Sequence, residues 1–214
     1  MSSENKKTGL LPLLAAAALI VLAAVTGYYW FEAGGRKATP AETMAGTPEA
    51  GTGGLRSLAR GPLAAFLVHP DPKSLPDIAF QDGEGKPLKL SDWKGRVVLI
   101  NLWATWCAPC RKEMPDLSRL QTELGSDQFE VVAISVDRKG AAASSAFLRE
   151  TGAENLKLYV EPTTAIVNEL QSPGLPATIL VDRQGRERGR LLGPADWASP
   201  EAIALIKAVL AEKG

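Results

Sequence analysis

The chain has two cysteines, Cys107 and Cys110, and they stand where an apolar strand-like run passes directly into an amphipathic helix. Residues 96–103 read RVVLINLW, a near-continuous apolar stretch expected of a strand buried on both faces. From about Cys107 to Leu124, the residues Met114, Leu117, Leu120 and Leu124 recur at helical spacing on one face. A helix start concentrates free N–H groups and positive potential, which favours a thiolate. Cys107 is therefore expected to be the nucleophile. Cys110, nearly one turn deeper, is placed to resolve a mixed disulfide. Pro109 removes an N–H that has no partner in the first turn.

The alternatives for such a pair are limited. A structural disulfide usually closes a longer loop, because a short one removes little entropy from the unfolded chain. A bare C-x-x-C equally fits half a zinc site, but four ligands are needed and the one histidine, His69, lies far upstream. His69 is read as a solvent-exposed linker residue. With no other cysteine present, the pair can react with itself, a partner or a small molecule, which is redox chemistry.

Around this junction the elements alternate. IAFQDGEGKPLKL (78–90) reads as a hairpin about Asp-Gly and Glu-Gly turn residues, followed by a turn at 91–95. FEVVAISV (129–136) is a second buried strand and residues 140–151 a helix. LKLYV (156–160) is a strand and residues 163–171 a helix. ATILVD (177–182) and RERGRLLG (186–193) form a further hairpin. Residues 199–213 close as a helix, with Ser199 as cap and Pro200 at its first position. This pattern describes an α/β sheet with a mixed edge over 71–214.

Two segments precede that domain. Residues 9–31 (GLLPLLAAAALIVLAAVTGYYWF) carry no charge, are long enough to span a bilayer, and end in an aromatic cluster suited to the lipid–water interface. A cleaved signal peptide is the competing reading. Ala23 and Ala24 suit cleavage, but the run exceeds a typical signal core and lacks a clean small-x-small site before a polar start. Lys6 and Lys7 before the span and Arg36 and Lys37 after it leave the orientation tied. Residues 32–70, rich in Gly, Pro, Ala and Thr, read as a flexible linker, in which 63–68 can dock or form a short helix. Twenty-four basic residues balance 24 acidic ones with no Lys/Arg stripe, which excludes a nucleic-acid-binding role.

Residues 106–115, WCAPCRKEMP, resemble the active-site segment of the TlpA/ResA-like membrane-anchored thiol:disulfide oxidoreductases of bacteria, and TlpA above all. The resemblance extends over about 76–213, through the leading hairpin, SDWKG (91–95) and GLPATILVDRQG (174–185). It implies a thioredoxin fold with an N-terminal β-hairpin and a central strand–helix insertion at 156–171, preceded by one transmembrane helix. It also implies that Pro176 is a cis-proline facing the two sulfurs, with Leu175 exposing backbone to a partner. Trp106 becomes the exposed aromatic beside the nucleophile, with Trp103 in the core. Glu113 falls on an acidic position associated with proton movement, the competing reading being a solvated helix charge. One departure is Asn101, six residues before Cys107, where many thioredoxins carry a buried Asp; an amide cannot take a proton from Cys110.

The resemblance further implies a domain in the periplasm, residues 1–8 in the cytoplasm, and a single-pass inner-membrane protein without a bound cofactor. The expected function is reduction of cysteine pairs in apo-cytochrome or copper-site assembly proteins, with electrons from an upstream membrane donor. An oxidase or isomerase with the same fold is the alternative. A Cu(I) chaperone using both thiolates is a lesser one, since related chaperones resemble a C-x-x-x-C pattern with a downstream histidine, and none follows Cys110. A peroxidase of the peroxiredoxin pattern needs Thr three residues before its cysteine, where this chain has Ala104.

Overall fold

The computed structural model describes residues 52–212. Eight strands lie in this region: β1 (Leu67–Ser74), β2 (Ala79–Asp82), β3 (Pro87–Lys89), β4 (Val97–Trp103), β5 (Phe129–Ser135), β6 (Tyr159–Val160), β7 (Ala177–Val181) and β8 (Arg186–Leu192). The helices are α1 (Thr52–Leu58), α2 (Ala108–Leu124), α3 (Gly140–Glu150), α4 (Ala165–Glu169) and α5 (Pro200–Ala211). The strands form one sheet in the order β1-β8-β7-β4-β5-β6-β2-β3.

Chain direction explains why distant residues meet at one end of this sheet. β4 and β5 are parallel, with Ile100 opposite Val132, and α2 supplies the crossover that a parallel pair requires. Their C-terminal ends therefore lie side by side, and Val136 N–H donates to the Trp103 carbonyl at 2.9 Å. β7 runs antiparallel on the other side of β4, with Ala177 opposite Leu102. Its N-terminal end consequently arrives where β4 ends, and the residue before it is Pro176. Every residue of β4, β5 and β7 is buried, as their apolar runs demand.

The leading hairpin forms as its sequence suggests, with Phe80 opposite Leu88. Asp82 Oδ1 closes the turn by accepting N–H bonds from Glu84 and Lys86, both 2.9 Å. Phe80, Trp93 and Tyr159 pack with ring centroids 5.4–5.5 Å apart and seal the hairpin against β6. The 156–171 insertion is present but shorter than its pattern implies: β6 has two residues and α4 five. The closing helix begins as expected, with Ser199 Oγ accepting the Ala202 N–H.

Two sequence expectations are corrected. The linker does not extend to residue 70, because from residue 52 the chain belongs to the folded unit. α1 packs on β1 and α5, and Leu55, Leu63 and Phe66 are buried. The Gly/Pro/Thr-rich composition stops near residue 54, and the apolar residues after it find a core to join. Pro70 and Pro72 obscured β1, yet they fall in its irregular stretch between Val68 and Lys73, on an edge strand where a missing N–H costs little. The edge sits very close to β8: a Cβ on Gly189 would stand 2.5 Å from the Leu67 carbonyl oxygen and from the Phe66 ring. His69 is the second correction. It is buried, with Nε2 2.7 Å from Glu187 Oε1, because β1 lies in the sheet rather than in a tether. Residues 1–8, the apolar run 9–31 and residues 32–51 lie outside the described residues. Among the described residues no helix is long and apolar enough to cross a membrane.

Candidate active site

The two sulfurs sit where β4 hands over to α2. Cys107 caps the helix from an extended conformation, and its Sγ accepts the Cys110 N–H at 3.2 Å. Pro109 occupies the first turn, where no backbone donor is lost. The cysteines are joined as a disulfide, with Cα atoms 5.3 Å apart. Cys110 is fully enclosed and Cys107 nearly so, while the adjoining Trp106 is 68% exposed. Trp103 is entirely buried and stacks on Phe147 at 4.9 Å. The fold thus exposes Trp106 and buries Trp103, as the resemblance implied.

Glu113 lies one turn beyond Cys110 on the same helix face, and it is not a solvated helix charge. It is 1% exposed. Oε1 accepts from Asn101 Nδ2 at 2.8 Å, and Oε2 accepts from Trp197 Nε1 at 3.3 Å and Ala195 N–H at 3.4 Å. Burial dominates and pushes the carboxyl up to about 7, against the opposing pull of the three hydrogen bonds; Asp116 adds a small upward push. A buried carboxyl that changes charge near neutrality can hold or release a proton under working conditions.

Asn101 takes a clear role from this arrangement. It projects from the centre of β4 and donates to both Glu113 and Thr178 Oγ1, the latter at 3.0 Å. Its own Oδ1 is buried without a protein partner. Where the resemblance leads to an expected buried Asp, the amide of Asn101 instead holds the carboxyl that α2 supplies.

The cis bond lies at Leu175–Pro176, as the resemblance implied. Pro176 is buried and Leu175 half-buried at the same sheet end as Cys107. The Pro176 carbonyl accepts from Gly193 N–H at 2.8 Å.

Three site residues were not legible in the sequence. Asp137, just past β5, accepts from the Thr105 N–H at 3.2 Å, from the Thr105 hydroxyl, and from the Lys139 N–H at 2.9 Å. It thereby pins the turn that presents Trp106 and Cys107. Burial opposes its charge, but these bonds and Lys139 hold its pKa below the usual value. Ala195 and Trp197, after the last strand, face Glu113 from across the fold. The adjacency of the β4 and β5 ends is the signal that points to Asp137; nothing in the sequence pointed to Ala195 or Trp197.

Residues 72–188 match the AhpC/TSA family. The chain belongs to this family. Among its relatives is the thiol-disulfide oxidoreductase ResA of Bacillus cereus, 30% identical over 121 residues, which are 56% of this chain and 69% of that protein. ResA of Bacillus subtilis is 31% identical over 111 residues, 52% of this chain and 61% of the relative. Among solved structures, a DsbF homologue from Corynebacterium diphtheriae superposes with a TM-score of 0.55 at 26% identity, covering 68% of this chain and 91% of that one. A secreted thiol-disulfide isomerase from Corynebacterium glutamicum gives 0.57 at 26% identity, covering 67% and 92%. This AhpC/TSA member is a ResA-like thiol-disulfide oxidoreductase with a thioredoxin-like α/β fold.

Proposed function

We propose that the chain is a membrane-tethered reductase of disulfides in partner proteins, working on the periplasmic side. The observation that carries the reading is the Cys107–Cys110 pair at the start of α2, with the buried Glu113 carboxyl one turn beyond the enclosed Cys110. In the reduced enzyme the Cys107 thiolate, favoured at the helix start, attacks one sulfur of a partner disulfide. A mixed disulfide forms and the first partner thiolate leaves. Glu113 accepts the proton of Cys110, whose thiolate then attacks the Cys107 sulfur and releases the second partner thiolate. The partner gains two electrons, and the enzyme ends as the Cys107–Cys110 disulfide seen here. The proton on Glu113 returns to a leaving thiolate. Trp106 supplies an apolar surface beside the bond under attack, and Leu175 with Pro176 supplies backbone for the partner chain.

The tether is argued from the uncharged run at 9–31, and its direction from the redox chemistry, since disulfides persist outside the cytoplasm. We place apo-cytochrome or copper-site assembly proteins as the partners and a membrane electron donor as the source of reducing equivalents, on the resemblance to the TlpA-like branch. Trapping tests the scheme. The Cys110→Ser variant is expected to accumulate a mixed disulfide through Cys107, visible as a reducible adduct on electrophoresis, while Cys107→Ser forms none. An adduct on Cys107→Ser alone would reverse the assigned roles.

A further inference from the structure

Next to the cis-proline segment, the sheet edge holds a buried charged cluster that the exchange steps leave unused. His69 on β1 sits 2.7 Å from Glu187 Oε1 on β8. Arg190, also on β8, donates from Nε and Nη2 to the two oxygens of Glu187 at 2.6 and 2.5 Å. The remaining donor of the guanidinium reaches elsewhere: Nη1 donates to the Leu170 carbonyl at 2.8 Å and to that of Gln171 at 3.3 Å. These carbonyls end α4, where intrahelical donors run out. Gln171 itself turns the chain with a left-handed φ of 50°. Only Ser172, Pro173, Gly174 and Leu175 separate it from Pro176, whose carbonyl is held by Gly193 N–H. The segment before the cis bond is thus fastened at both ends by β8 and the residue that follows it.

We propose that Arg190, oriented by Glu187 and His69, is a positioning residue for partner binding: it fixes the 172–175 segment so that Leu175 and Pro176 present their backbone to an incoming protein disulfide. The inference rests on the reading of Leu175 and Pro176 as the partner-binding segment. Arginine suits the task because its planar fork serves a carboxylate on one edge and main-chain acceptors on the other. A lysine at 190 can neutralise Glu187 but cannot bridge both sides. Glu187 is buried, so it needs its partners: burial opposes its charge, and the hydrogen bonds from Arg190 and then from His69 hold its carboxyl below the usual value. Through His69 the same cluster joins β1 to the segment before the cis bond.

Arg190→Lys in the full-length chain, kept in detergent, is the test, with disulfide-bonded insulin as the protein substrate and 5,5′-dithiobis(2-nitrobenzoate) as a small disulfide that needs no backbone docking. KM for insulin is expected to rise about tenfold with kcat held, the scale of one lost charge-assisted contact, and the small-disulfide rate is expected to stay unchanged. An unaltered insulin KM overturns the proposal. So does a matched fall with both substrates, which marks a general structural defect. Glu187→Gln leaves Arg190 in place but unties it, and should raise KM in the same direction; it decides the matter if Arg190→Lys does not fold. A wild-type chain inactive on insulin overturns both this inference and the reductase reading, whereas an active wild type with unaltered variants overturns this inference alone.

Discussion

Replacing Glu113 by Gln should make the oxidised protein less sensitive to alkaline pH while slowing its chemistry. In the unfolded chain this carboxyl titrates at its ordinary value of 4.5, and in the fold at about 7. Between those values the unfolded state has released its proton and the folded state retains it. Stability therefore falls as pH rises from 4.5 to about 7 and levels off above. A displacement from 4.5 to about 7, at about 1.4 kcal/mol per pH unit, amounts to roughly 3 kcal/mol. Gln is neutral at every pH and escapes that loss. It introduces a constant cost of its own: its amide N–H₂ must face either Asn101 Nδ2 or the Trp197 and Ala195 donors, at about 1–3 kcal/mol. The difference between variant and wild type should consequently shift by roughly 3 kcal/mol in favour of the variant between about pH 4 and pH 8. For a domain of this size that is about 6–12 °C in thermal midpoint. Denaturation of the oxidised proteins at about pH 4, 6 and 8 measures it. In parallel, resolution of the mixed disulfide should slow by about 10²–10⁴-fold, the range for a lost general base. Stability curves for wild type and variant that run parallel across this pH range would refute the reasoning.

Three further outcomes follow from named contacts. Phe66→Ala should cost about 3–5 kcal/mol in denaturant unfolding, since Phe66 is buried and packs edge-on against Trp197 with centroids 6.3 Å apart; a negligible cost would return residues 52–70 to the linker. Asp137→Ala should destabilise by about 1–3 kcal/mol through the unpaired Thr105 N–H, and should slow attack by Cys107, read as the thiol alkylation rate of the reduced protein. Asn101→Asp places a second carboxyl 2.8 Å from Glu113, so the pair should share a proton and the acidic limb of the pH–rate profile, where the base loses its charge, should move upward.

Most of the sheet was legible because its inner strands are continuous apolar runs: β4, β5 and β7 end within a residue of their patterned limits. The cysteine pair and its helix were legible for the same reason, local patterning joined to chemistry that depends on a helix start. What escaped was set by tertiary context. β1 carries two prolines and alternates poorly, so only its partner β8 reveals it as a strand. The burial of His69 and Glu113 follows from what packs over them, and no spacing encodes Trp197, 84 residues beyond Glu113, as a donor to it. Asn101 illustrates the limit well. Its side chain was readable as unable to take a proton, yet its role as a holder of Glu113 emerges only where α2 packs over β4.

The reduction potential of the Cys107–Cys110 pair, equilibrated against glutathione in the full-length chain, decides between electron donor and electron acceptor. A protein that reduces partner disulfides should lie at roughly −270 to −200 mV, the thioredoxin and glutaredoxin range. A value near about −120 mV, at the strongly oxidising end, would contradict the reductase assignment and make the chain a disulfide donor instead.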